Sequence, residues 1–151
     1  MLFRSGDVLR QGGDGPAALA SYRAGLAIRE GLAKRDPNNS EWQRDLSVSW
    51  SNLGSFAVER KDWAEARAAF AKDLAIAERL AGMDRNNAEW QVDLAISHVT
   101  LVPLAEAPVA KRKHLEEAAA ILRKLKSAGR LPPDRAGLLA DVERDLAALG
   151  K

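Results

Sequence analysis

Residues 36–49 read DPNNSEWQRDLSVS, and residues 84–97 read DRNNAEWQVDLAIS. The second stretch follows the first at an offset of 48 positions, so Trp42 aligns with Trp90 and Asp45 with Asp93. The same offset aligns Tyr22, Leu26, Ile28, Glu30 and Leu32 with Phe70, Leu74, Ile76, Glu78 and Leu80. Because a fixed period of 20 to 50 residues is typical of repeat architectures, the chain is predicted to contain one structural unit more than once.

Apolar residues within each copy recur at the spacing of a helix. The second copy has Ala66, Phe70, Leu74, Ala77 and Leu80 at steps of three and four. The first copy repeats the stripe as Ala18, Tyr22, Leu26, Arg29 and Leu32, with one polar interruption. This is the pattern of amphipathic helices that each bury one face.

Turn and cap residues give the expected helix boundaries. Helices are predicted at residues 2–11, 15–35, 41–60, 63–83, 88–101 and 109–127, with a last helix that begins after Asp134. Asp62 with Glu65 and Ser40 with Gln43 are spaced as capping boxes, in which side chains accept from free backbone N–H groups. Asp134 is predicted to cap the last helix, whose apolar stripe is Leu138, Val142, Leu146 and Leu149.

These helices predict an all-α fold in which antiparallel hairpins stack into a right-handed superhelical array, as one domain over residues 1–151. The first hairpin (1–35) is shortened at its N-terminal end, the second is 36–83, and a degenerate third is 84–128, interrupted by Pro103 and Pro108. Residues 129–151 form a loop and a capping helix. The shortened end leaves an apolar face to cover, so the chain is either part of a longer array or self-associates end to end through this end.

The composition of the chain argues against secreted, membrane-spanning and nucleic-acid-binding proteins. The chain has no cysteine, no secretory signal pattern and no apolar run long enough to span a membrane, so a cytoplasmic protein without a membrane partner is expected. The net charge of +2 does not favour nucleic acid. Residues 109–130 are nevertheless basic, and Lys111, Arg112 and Lys113 form an alternative anion-binding cluster, although the spacing of Arg112 from Glu116 and of Lys113 from Glu117 favours ion pairs along a helix.

Catalytic and metal-binding patterns are not evident. His98 and His114 are the two histidines, and their separation in the repeat scheme favours two unrelated surface or groove residues over a metal site or a catalytic pair. Ser47, Ser49, Ser51 and Ser55 share one helix, and no base is positioned to activate them. The sequence therefore predicts no enzyme activity, no metal and no cofactor.

The residues from Trp50, read as W-S-N-L-G and followed by Ala66 and Phe70, resemble the tetratricopeptide repeat family. The unit here has 48 residues and the family's usual unit has 34, so the chain is similar to a long-helix variant. Gly54 and Ala66 are expected where two helices approach closely, and Trp42 and Trp90, which recur in the repeat, are expected to pack structurally.

The resemblance implies a protein-interaction module that holds a peptide or helix of another protein in a concave groove. By register with the family, the side chains expected to face this groove are Arg4, Asp7, Asn52, Ser55, Glu59 and Thr100. Members that grip a terminal carboxylate use a ring of Lys, Arg and Asn side chains. Only Asn52 matches that ring here, so no such clamp is implied.

Overall fold

The computed structural model describes residues 15–150 of the chain, and all regular structure in that range is helical. The six α-helices are α1 (Gly15–Arg35), α2 (Ser40–Glu59), α3 (Trp63–Met83), α4 (Ala88–Leu101), α5 (Pro108–Ser127) and α6 (Ala136–Leu149). The predicted all-α class is confirmed, and the bounds of α1, α3 and α4 are those predicted. The helix predicted at 2–11 lies outside the described residues. Within residues 15–150, no helix combines the length and apolar character that crossing a membrane would require.

The chain divides between Ile76 and Ala77, inside α3, into two compact units. In the first unit, α1 packs on α2 around buried residues that include Ala18, Tyr22 and Phe56, and the Tyr22 and Phe56 rings lie 5.4 Å apart. The stacking of hairpins into a superhelix stays a prediction.

Helices α2 and α3 approach closely at Gly54, as the sequence predicts. A Cβ atom placed on Gly54 would lie 2.8 Å from the Phe70 ring, and Ala66 is fully buried on the facing helix. Small residues at the contact between α2 and α3 therefore allow the Phe70 ring to fill the space between the two backbones.

The two tryptophans of the repeat, Trp42 and Trp90, are half-buried, which is consistent with a packing role.

In the second unit, α5 packs on both α4 and α6. Its core contains Ala95, Leu115, Leu122, Leu139 and Val142. The predicted stripe of α6 contacts this core through Leu138, Val142, Leu146 and Leu149, while Leu139, which the stripe did not include, is also buried. Helix α6 thus covers the apolar side of α5.

The two duplicated stretches form the same local structure. The Asn39 side chain accepts from the backbone N–H of Trp42 at 3.0 Å, and the Asn87 side chain accepts from that of Trp90 at 3.1 Å. The first asparagine of each copy, Asn38 or Asn86, donates its backbone N–H to the preceding aspartate carboxylate, at 3.1 Å and 2.8 Å respectively. The sequence repeat is therefore also a structural repeat at these turns.

The glutamine of each copy reaches back to the preceding helix. Gln43 donates from Nε2 to the carbonyl of Ala33 at 3.3 Å, and Gln91 donates to that of Ala81 at 3.0 Å. Both carbonyls lie in the last turn of a helix, where backbone acceptors lack partners in the helix itself. The duplicated glutamine thus ties each helix end to the helix that follows it.

Two predicted caps are wrong. Helix α2 begins at Ser40, and its cap is Asn39, so the Ser40 capping box does not form. Helix α6 is preceded by a short 3-10 helix, Pro133–Arg135, and its cap position is Arg135 without a capping side chain, so Asp134 is not the cap. The two consecutive prolines before Asp134 fix the backbone for this tighter turn.

The cap predicted at Asp62 forms in one direction. The Asp62 carboxylate accepts from the backbone N–H of Glu65 at 3.1 Å, while the Asp62 N–H donates to the carbonyl of Ala57 at 2.9 Å. Glu65 instead forms ion pairs with Arg60 at 2.6 Å and Arg23 at 2.7 Å. The second bond of a capping box, from the Asp62 backbone N–H to the Glu65 side chain, therefore does not form, and Glu65 pairs with two arginines instead.

We expect Asn39→Ala to lower the free energy of unfolding by about 1 kcal/mol, because the N–H of Trp42 loses its acceptor. Ser40→Ala, one position later, should change it by less than about 0.5 kcal/mol and serves as the matched control. Urea denaturation followed by circular dichroism measures both. A larger loss of stability in Ser40→Ala than in Asn39→Ala would contradict this assignment and support the capping box predicted at Ser40.

Candidate functional site

Three of the predicted groove residues lie on one helix of the first unit. Asn52 is half-buried in α2, and Ser55 and Glu59, three and seven positions later, are exposed. This spacing places the three side chains on one face of α2. The structure therefore brings these three together.

Of the other predicted groove residues, Thr100 is the one within residues 15–150. Thr100 belongs to the second unit, and its hydroxyl lies 2.9 Å from the carbonyl of Ser97 and 3.1 Å from that of Ile96, so its proton is used within α4. Arg4 and Asp7 lie outside the described residues. The concave groove as a complete surface stays a prediction.

The basic cluster of the alternative hypothesis lies at the start of α5. Lys111 is half-buried, while Arg112 and Lys113 are exposed. Arg112 donates to the carbonyl of Leu149 at 2.9 Å, near the end of α6, and does not pair with Glu116 as its spacing suggested. The guanidinium is thus partly engaged in holding α6 on α5.

His98 and His114 form a direct contact, which corrects their prediction as unrelated residues. His98 lies on α4 and is buried, His114 lies on α5, and their Nδ1 atoms are 3.1 Å apart. One ring must donate and the other must accept at this distance. The sequence pattern does not indicate this pair, because the 15 intervening residues contain a helix break whose geometry sets which turns face each other.

Burial is the main cause that lowers the pKa of His98 below its ordinary value of about 6.5, and His114 is the second. The carboxylates of Glu117 and Glu78 oppose the shift, and Lys113 adds to it. The pKa of His114 is lowered by burial and by Lys113, against Glu78. Both rings are therefore held in the neutral form at neutral pH.

The histidine pair could offer a metal ion only two ligand atoms, one from each ring. Within residues 15–150, no group of three or more His, Asp and Glu side chains has an arrangement that could hold a metal. Structural and catalytic zinc sites use three or four protein ligands. The pair is better described as a polar contact between α4 and α5.

The second unit also contains an open groove of about 610 Å³, which we call the α3–α5 groove. Its residues come from the end of α3, from α4, from α5 and from the turns that follow α3 and α5, all within the second unit. The apolar lining includes Ala81, Leu94, Ala120, Ile121 and Leu125. The charged lining includes Glu78, Glu117, Arg85, Lys124 and Arg130.

The sequence contained a partial signal for this groove. Lys124 and Arg130 belong to the basic stretch at residues 109–130, in which the densest run of basic residues is Lys111 to Lys113. Arg85 occupies the turn position that Pro37 holds in the first copy. The signal for the groove at this position is therefore a difference between the two copies, arginine in place of proline, and not a residue that the copies share.

Comparison with known proteins adds no relative: a scan against protein-family models and a search of the curated proteins both returned no match.

The histidine pair predicts that stability depends on pH. Because the pKa of both rings is lower in the folded protein than in the unfolded chain, the unfolded state binds more protons as the pH falls below about 6.5. The stabilising contribution is therefore complete above that pH and is lost as the pH falls toward the lowered values. The free energy of unfolding should decrease between pH 7 and 5.

The double variant His98→Gln/His114→Gln is the control for this prediction. It removes both titrations, so the slope of the unfolding free energy against pH should be shallower over the same interval. Urea denaturation at several pH values measures the slope. Equal slopes for the two proteins would contradict the prediction.

Proposed function

We propose that this chain is a protein-binding module built from helical repeats, which holds a peptide or helix of another protein. The observation that supports this most is the α3–α5 groove. Its apolar lining is open to solvent between charged rims, and burial of such a surface by a partner is favourable by roughly 25 cal/mol per Å². A groove of this kind suits the apolar face of a helix.

The duplicated turns support a repeat architecture of the tetratricopeptide type. The same asparagine cap and the same glutamine bond occur at both copies, and small residues lie at the α2–α3 contact. A right-handed superhelical array with α6 as its cap is part of this proposal. A cytoplasmic location and a non-enzymatic role are also part of it.

A second binding surface is proposed from the register of the repeat. Asn52, Ser55 and Glu59 share one face of α2, and Arg4, Asp7 and Thr100 would extend this face in a stacked array. Polyanion binding through Lys111, Arg112 and Lys113 has weaker support, because Arg112 already donates to the Leu149 carbonyl. We therefore favour a protein partner.

Site-specific photo-crosslinking tests this function. A benzophenone side chain is placed at exposed Ala120 in the α3–α5 groove, at Ser55 on the α2 face, or at exposed Ala148 on α6 as the control. In lysate of the host cell, we expect cross-linked protein from Ala120 and Ser55 in clear excess over Ala148, identified by mass spectrometry.

Cross-linking at Ala120 and Ser55 that does not exceed the Ala148 background would count against a protein-binding role. Cross-links from Ser55 alone would retain the role and assign it to the α2 face. Cross-links from Ala120 alone would assign it to the α3–α5 groove.

A further inference from the structure

The α3–α5 groove has opposite charges at its two ends. On α5, Glu117 and Lys124 are seven residues apart, which is about two helical turns and nearly the same face. Glu78 lies on α3, and Arg85 lies in the turn after that helix. In the direction of the chain, the acidic residue therefore comes before the basic one both on α3 with its following turn and on α5. We call these two elements the walls of the groove.

Two observations place the corresponding ends of α3 and α5 near each other. Glu78 and Glu117 both act electrostatically on His98, so the acidic end lies beside the histidine pair. At the other end, Arg130 donates to the carbonyl of Asn86, which joins the turn after α5 to the turn after α3. The helices thus end side by side, with Arg85, Lys124 and Arg130 at that end.

Two of the cations at this end, Arg85 and Lys124, are available to a ligand. Within residues 15–150, no carboxylate forms an ion pair with the side chains of Arg85 or Lys124. Both residues are exposed and border the apolar lining. Cations near helix C-termini offset the helix dipole, but that role does not require them to border an apolar groove.

We propose that the α3–α5 groove binds a short amphipathic helix of a partner protein whose first turn is acidic. This rests on the protein-binding function proposed above and names the chemistry of the partner. The apolar face of the helix contacts Ala81, Ile121 and Leu125, and its acidic first turn lies against Arg85, Lys124 and Arg130.

The direction of the bound helix follows from the same charges. An acidic first turn is favourable within a helix, because it offsets the positive N-terminal end of the dipole. When that turn lies at the basic end, the helix runs antiparallel to α3 and α5, and its positive end meets their negative C-terminal ends. A nucleic acid fits less well, since its phosphates would also meet Glu78 and Glu117 and would leave the apolar lining exposed.

The test uses the full chain and two fluorescein-labelled peptides of roughly four helical turns. Both carry leucines at helical spacing and lysines in the last turn. The acidic probe has glutamates in its first turn, and the neutral probe has glutamines at those positions. Fluorescence anisotropy at physiological salt measures the dissociation constants.

We expect the acidic probe to bind about tenfold more tightly than the neutral probe, as two or three charge pairs of ordinary strength would produce. Arg85→Glu/Lys124→Glu should remove this advantage. Lys126→Glu is the control for the Lys124 half of this variant, since it reverses one charge on the same helix two residues away, on a different face. It should leave the preference within about twofold.

A bulky residue tests whether the groove itself is the site. Ala120 is exposed in the groove, so Ala120→Tyr should fold normally, as circular dichroism can verify, and should weaken binding of both probes. Equal binding of the two probes, or an equal effect of Lys126→Glu, would overturn the acidic-helix proposal. The proposed function would survive that result if Ala120 still cross-links to a protein.

Other occupants would also be recognised. If a second copy of the chain fills the groove, Ala120→Tyr will convert a dimer to a monomer in sedimentation velocity, and the proposal is wrong. Binding of a labelled RNA that Arg85→Glu/Lys124→Glu abolishes would overturn it in favour of a polyanion. If neither probe binds, the acidic-helix proposal is also wrong, and cross-linking decides the protein-binding function separately.

Discussion

The need to pair backbone groups at helix ends is the constraint on which the duplicated turns depend. Each turn has only four residues between the last residue of one helix and the first of the next, at 36–39 and 84–87. In each turn, one asparagine caps the helix that follows and an aspartate carboxylate accepts from a backbone N–H of the turn. Just beyond the turn, a glutamine donates to the end of the helix that precedes it. Three of the residues that are identical in both copies, Asp36, Asn39 and Gln43, make these bonds with their side chains.

This constraint accounts for how well the helices could be predicted. Helix starts and ends depend on local groups, so the bounds of α1, α3 and α4 followed from periodicity and turn residues alone. The predicted cap was wrong where two neighbouring residues could each serve as the N-cap. Asn39 and Ser40 are both good caps, and the sequence does not say which one has the extended backbone that capping needs.

The candidate site was less predictable, because it depends on distances between helices. His98 and His114 meet only because the break at residues 102–107 sets α4 against α5 with these two turns opposed. The α3–α5 groove draws on residues from three helices and two turns. A periodic pattern says which face of each helix is buried, but it does not give the offset of one helix along another. Side-chain chemistry at such contacts therefore became visible only in three dimensions.

The contact between His98 and His114 also makes two identical residues chemically unequal. With the Nδ1 atoms facing each other, a neutral pair has one proton between them, so one imidazole carries its hydrogen on Nδ1 and the other carries it on Nε2. Exchanging the two tautomers requires both rings to relocate their protons. The Nε2 atoms differ as well, one being a lone-pair base and the other a donor, and α4 and α5 present these two different groups from a single pair of histidines.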